Sequence, residues 1–244
     1  VRKLDRTGEI RFNNQGCEMV IIVYRNCEDI DIQFKNGTIL TNRQYHHFKN
    51  GNMPNPLHPT ILNIGYEGVG KYSFISYPVI YKLWKSIVRR TSDKLYKESH
   101  NSYRNSSLSQ EWHNFQNFAQ WFEENYVEGF HLDKDILVKG NKIYSPETCR
   151  FVPQEINNLF TNRLKKRGLY PLGVTITKYG KFVAQITKFG VRTRISTFNT
   201  PEEAFNAYKT AKEEYIKEVA EIWKDRIDSS LYRAMYNWII EIND

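Results

Sequence analysis

The period of the apolar residues changes several times along this chain, and each change marks an element. Over residues 16–55 the run CEMVIIVY is continuously apolar, and DIDIQF then alternates with Ile30, Ile32 and Phe34 on one face. Lys35-Asn36-Gly37 supplies a hairpin turn before Thr38-Ile39-Leu40. The pattern predicts a small β unit, too small to be an enzyme alone. Pro54, Pro56 and Pro59 punctuate a polar stretch that reads as a linker. The segment GYEGVGKY holds Gly65, Gly68 and Gly70, but no Gly-Lys-Ser/Thr follows, so it reads as a turn rather than a phosphate loop. From Tyr81 the period becomes helical. Leu83, Trp84, Ile87 and Val88 form an apolar face, opposite the basic face of Lys82, Lys85, Arg89 and Arg90. A second helix, capped by Ser109, carries Trp112, Phe115, Phe118, Ala119 and Phe122 at three-to-four spacing, which is a core face.

Beyond it, HLDKDILV reads as a strand, Lys139-Gly140-Asn141 as a tight turn and residues 142–144 as the return strand, with PQEINN opening a helix. Further on, Phe182, Ala184 and Ile186 alternate with Lys181, Val183, Gln185 and Thr187, and Ile195 and Thr197 alternate with Arg192, Arg194 and Ser196. Thr200, Pro201 and Glu203 make a capping box with proline at the first helical position, and Ala204, Ala207, Tyr208, Ala211 and Tyr215 share one face of the helix that follows. That helix breaks near Asp228-Ser229-Ser230, and a second amphipathic one ends the chain. The fold class expected is α+β and multidomain. A small β domain covers 1–58, a ββα domain with its preceding helices covers 66–165, and a three-stranded antiparallel sheet with a helix and C-terminal helices covers 166–244.

Charge sharpens this division. The net charge of +8 is segregated: residues 161–200 carry nine Lys or Arg and no Asp or Glu, residues 82–104 carry seven against two acids, and residues 201–244 are net acidic, six against ten. Such segregation points to a polyanion partner, most simply double-stranded DNA. The cysteines Cys17, Cys27 and Cys149 form no CxxC pair. No apolar run approaches the roughly 18 residues of a membrane span, and VRKLDRTGEI lacks the apolar core of a secretory signal, so the expected setting is cytoplasmic, away from membranes. His46 and His47, adjacent and without supporting cysteines, read as surface or packing histidines rather than metal ligands. Nothing in the sequence specifies a homo-oligomer.

The stretch from Asp133 to Asn158, DKDILVKGNKIYSPETCRFVPQEINN, resembles the HNH nucleases of the ββα-metal type, especially phage homing endonucleases. In that family an Asp-His pair on the first strand is followed by Glu-Asn-Leu and a helix bearing Asn. Leu132-Asp133-Lys134-Asp135 stands at the Asp-His position, Glu147-Thr148-Cys149 at Glu-Asn-Leu, and residues 152–158 at the helix; WHNFQNFAQWF resembles the aromatic helix such proteins carry upstream. The resemblance implies Mg²⁺ (or Mn²⁺) held by Asp133 and Asn157, and metal-dependent hydrolysis of DNA in a phage or bacterial host cell. It departs from the family at two positions. Lys134 replaces the base histidine, leaving Lys134, Asp135 and His131 as candidates for its work, and Thr148 replaces the asparagine that orients it.

A second resemblance, over residues 172–208, is to the ethylene-response-factor type of DNA-binding domain, also found appended to phage HNH proteins. It is carried by Leu172-Gly173-Val174, Gly180 to Ile186, Arg192 to Phe198, and Thr200 to Ala204 with Ala207-Tyr208. A small sheet can enter the major groove, so the DNA-contact candidates are Lys178, Lys181, Gln185, Lys188, Arg192 and Arg194. The two resemblances together imply an HNH-type DNA endonuclease directed by its C-terminal domain. The alternative is a catalytically inactive, sequence-specific DNA-binding or regulatory protein derived from one.

Overall fold

The computed structural model describes residues 4–160 and 169–242; Arg163, Lys165, Lys166 and Arg167 of the basic stretch lie outside them. The protein is α+β and divides into two compact units, Val1–Glu124 and Asn125–Asp244. No helix among the described residues is long and apolar enough to cross a membrane.

The first unit opens with an antiparallel meander of β1 (Ile10–Phe12), β2 (Glu18–Asn26), β3 (Asp29–Phe34) and β4 (Ile39–Arg43), in that order across the sheet. The expected alternation holds: Ile30, Ile32 and Phe34 are buried with Met19, Ile21 and Met53, under Phe48 of the short α1 (Tyr45–Lys49). Gly37, at φ +88°, turns the β3–β4 hairpin where Lys35-Asn36-Gly37 predicts it. Next come α2 (Pro78–Ser92), α3 (Lys94–Ser99), the two-residue strand β5 (Ser107–Leu108) and α4 (Phe115–Asn125). Trp84 of α2 is fully buried and donates its Nε1–H to the Trp112 carbonyl (2.7 Å). The aromatic helix starts later than its sequence suggests. Ser109 makes no side-chain cap; a 3₁₀ turn over Gln110–His113 comes first, and the Asn114 side chain accepts the Gln116 amide as α4 begins.

The glycines of GYEGVG serve packing. Gln116, nearly buried, donates to the carbonyls of Glu67 (2.9 Å) and Tyr72 (2.7 Å) and accepts the Tyr72 amide (3.1 Å). A Cβ on Gly70 would sit 2.2 Å from that Gln116 side chain. Gln116 thus ties both ends of the loop, at Glu67 and Tyr72, to α4.

In the second unit β6 (His131–Asp133) pairs antiparallel with β8 (Arg150–Val152), and α5 (Gln154–Phe160) follows; β7 (Ile143–Tyr144) lies between them in sequence. A three-stranded antiparallel sheet comes next, with β10 (Phe182–Lys188) central between β9 (Val174–Ile176) and β11 (Val191–Phe198). The long α6 (Pro201–Trp223) and α7 (Ser229–Tyr236) complete the unit. The capping box at Thr200 and Glu203 is formed as the sequence predicts, and Asp228 caps α7.

One core runs through this whole unit. Ala204, Phe205 and Tyr208 of α6 pack with Val174, Ala184 and Ile186 of the sheet, while Ile216, Val219 and Ala220 belong to the same cluster as Ile136, Val152 and Ile156 of the ββα segment. Trp223 Nε1 donates to Glu155 Oε2 (2.9 Å), and Phe160 packs on Trp238 with ring centroids 4.4 Å apart. One 23-residue helix, about 34 Å long at 1.5 Å per residue, therefore joins the sheet to the ββα segment. Close packing under the sheet depends on Gly173, which has φ +77° and faces the Tyr208 ring; a Cβ there would lie 2.0 Å from that ring. Gly173→Ala is expected to cost about 2–3 kcal/mol through left-handed strain and overpacking. Urea denaturation would show this, and an unchanged midpoint would contradict it.

Candidate nucleic-acid interface and ββα centre

The antiparallel partner of β6 is β8, with His131 opposite Val152 and Asp133 opposite Arg150. The return strand expected at 142–144 does not fill that place, and the strand expected over HLDKDILV ends at Asp133. The cause is local. Asp133 Oδ1 accepts the amides of Asp135 (2.8 Å) and Ile136 (2.9 Å), turning the chain out of the strand, and Asn141 Nδ2 closes the loop by donating to the Lys134 and Ile143 carbonyls (both 2.7 Å). Asp135 is consequently in a bend and does not share a strand face with Asp133. His131 does, two residues before it, and is solvent-exposed.

The loop leading into β8 is stapled to itself. Thr148 Oγ1 donates to the Ile143 carbonyl (2.9 Å), and Arg150 Nη1 donates to the carbonyls of Pro146, Glu147 and Cys149. Thr148 therefore holds the loop instead of orienting a base. Cys149 is fully buried; burial pushes its thiol up to about 12, which makes it an inert core residue.

Two carboxylates and an ammonium meet at this centre. Lys134 is only 8% exposed, its Nζ donates to Asp135 Oδ2 at 2.9 Å, and it stands over the Tyr144 ring at 5.8 Å. Its ammonium is committed to an ion pair, a poor arrangement for a general base. Burial, followed by the charge of Asp135, pushes the Asp133 carboxyl up to about 6; the two backbone amides and Lys134 act in the opposite direction. Asp133 and Asp135 supply the carboxylate oxygens of this loop, and Asn157 lies on α5, the helix packed against β6. Among the described residues no three His, Cys, Asp or Glu side chains converge on a common point. One or two carboxylates plus a substrate phosphate is the usual donor set for Mg²⁺, and Asp133 and Asp135 are two such carboxylates on one loop.

The sheet presents a second polar site. Directly paired residues of an antiparallel sheet share a face, so the register assigns sides. Val183 faces Thr197, Gln185 faces Arg194 and Thr187 faces Arg192 on the side away from α6. A bulge between Ala184 and Gln185 leaves Ile195 without a partner, which moves Ser196 to the helix side and brings Thr197 beside Arg194. The alternation read from sequence, with Arg192, Arg194 and Ser196 together, thus holds only up to the bulge. Arg194 hydrogen-bonds Thr197. Gln185 Oε1 accepts from Arg192 Nε (3.0 Å), and Gln185 Nε2 donates to Thr175 Oγ1 (3.3 Å). Gln185 is therefore a buttress between β9 and β11, with both ends of its amide engaged.

The other candidates are distributed around this face. Lys181 reaches Asn199, and Lys178 stands over the exposed Tyr179 ring at 4.8 Å in the β9–β10 turn. Lys188 lies on the helix side, paired with Glu218 of α6 (3.3 Å), and does not join Arg192 and Arg194. Thr175 is a member of the polar row that the sequence reading missed; only the β9–β10 register reveals it. No protein-family model, curated protein or solved structure matches this chain.

Proposed function

We propose that this protein binds double-stranded DNA and reads it with the solvent face of β9–β11. The observation that carries the proposal is the row Thr175, Gln185, Arg192, Arg194 and Thr197, which spans three strands, is set by one bulge, and lies in a segment without a single carboxylate. An arginine projecting from a narrow sheet has the reach and the fork geometry for guanine O6 and N7, and the flanking Lys178 and Lys181 suit phosphates. Titrating a mixed-sequence labelled duplex at several salt concentrations tests this. Affinity is expected to fall linearly on a log–log plot, and a salt-independent or absent interaction would refute DNA as the partner.

A second reading, metal-dependent cleavage of the bound DNA, is favoured by the carboxylate pair in the ββα centre. A bound Mg²⁺ would supply Lewis-acid stabilisation of the scissile phosphate. Asp133 and Asn157 would hold it, Lys134 would keep Asp135 neutralised, and His131, exposed on the Asp133 face of β6, would take a proton from water. Joining both sites to α6 would fix the cutting position relative to the sequence read.

A further inference from the structure

Three of the four cations of α2 stand on its exposed side; the fourth, Arg90, lies over the Tyr103 ring. Ile80, Trp84, Ile87, Val88 and Thr91 bury one side of this helix, which turns Lys82, Lys85 and Arg89 outward, and all three are exposed. Their spacing of i, i+3 and i+7 places them within about 60° of arc and along about 10 Å of axis. The helix contains no Asp or Glu. Arg89, with its side chain 62% exposed, is steadied by Asp93 (3.5 Å) and by the Tyr96 ring (4.9 Å), whereas Lys82 and Lys85 meet no carboxylate among the described residues.

We infer that this stripe is a second, sequence-independent contact to the DNA backbone. Each strand of a duplex presents one phosphate per about 3.4 Å of axis, so about three phosphates fall within the length of the stripe, one for each cation. The helix carries no Asn or Gln to read adenine beside them, and flexible lysines make up two of the three cations, which fits positioning without specificity. Its apolar side is consumed by the core, with Trp84 fully buried, so it has no face left to lay into a membrane. The inference rests on duplex DNA being the partner, and goes beyond that proposal by assigning the first unit its own share of the binding.

The test compares the full-length protein with Lys82→Gln/Lys85→Gln/Arg89→Gln and with Arg192→Ala/Arg194→Ala, measuring duplex affinity from about 50 to 200 mM salt. Removing three phosphate contacts is expected to reduce the salt slope by about 2.7, so that over this range the wild type loses about 40-fold more affinity than the triple variant, on every sequence alike. The sheet variant is expected to lose sequence preference instead. A triple variant with the wild-type slope overturns the inference; if it weakens binding to polyglutamate alone, the stripe belongs to an acidic protein partner and the inference is likewise overturned. A wild type that binds no duplex removes the DNA proposal and this inference together. Amine acetylation read by mass spectrometry provides an independent measure: Lys82 and Lys85 are expected to be protected in the complex, and equal labelling with and without DNA overturns the assignment.

Discussion

Asp133→Asn is expected to abolish Mg²⁺-dependent cleavage and, at the same time, to stabilise the protein at pH 7. The folded-state pKa of Asp133, about 6, lies above its ordinary value of 3.8, so the folded state favours the proton. The stabilising contribution of this carboxyl is therefore complete below about pH 4 and is lost as the pH rises through 6. Asparagine keeps an Oδ1 to accept the Asp135 and Ile136 amides but has no charge to bury. At pH 7 the gain is expected to be on the order of 1–3 kcal/mol, vanishing near pH 4. Asp133→Ala loses both hydrogen bonds as well as the charge, so it is expected to be destabilised by about 1–2 kcal/mol near pH 4, with that loss offset at pH 7 by removal of the buried charge. Mg²⁺ should raise the melting temperature of the wild type at pH 7 and leave that of Asp133→Asn unchanged. Cleavage by either variant is expected to fall at least about 100-fold. Parallel stability–pH profiles for wild type and Asp133→Asn would show that the carboxylate is not held in a charge-averse site.

Removing Arg192 and Arg194 is expected to have the larger effect on recognition. A bidentate arginine–guanine contact is worth about 1–3 kcal/mol of discrimination, or roughly 5- to 150-fold per residue. Both side chains are exposed and their strand is held by backbone pairing with β10, so the fold should survive their truncation. Gln185→Ala is expected to act differently. It releases Arg192 from the 3.0 Å hydrogen bond that orients it, which should reduce sequence preference while leaving the salt slope intact. A fall in slope without any loss of preference would instead assign these residues to phosphates.

The contrast between the two sites shows which features a sequence carries openly. The Thr200 capping box, the Gly37 hairpin and the burial of Ile30, Ile32 and Phe34 were legible because each depends on residues a few positions apart. The bulge at Ile195 was not, because one surplus residue is visible only against the partner strand, and it moves Ser196 and Thr197 to opposite faces. Likewise HLDKDILV has the composition of a full strand, yet a single side-chain oxygen of Asp133 ends it and passes the pairing to Arg150–Val152. The burial of Lys134 beside Asp135 is a tertiary fact, and it determines that this lysine is an ion-pair partner. The continuity of the core along α6 was also hidden, since periodicity shows an apolar face but not what covers it.

The most direct test of DNA reading by the sheet is selection of bound sequences from a random duplex pool, run with the wild type and with Arg192→Ala/Arg194→Ala. The wild type is expected to enrich a short guanine-containing site, and the variant to bind the pool without enrichment. Enrichment of the same site by both proteins would contradict the assignment of reading to β9–β11.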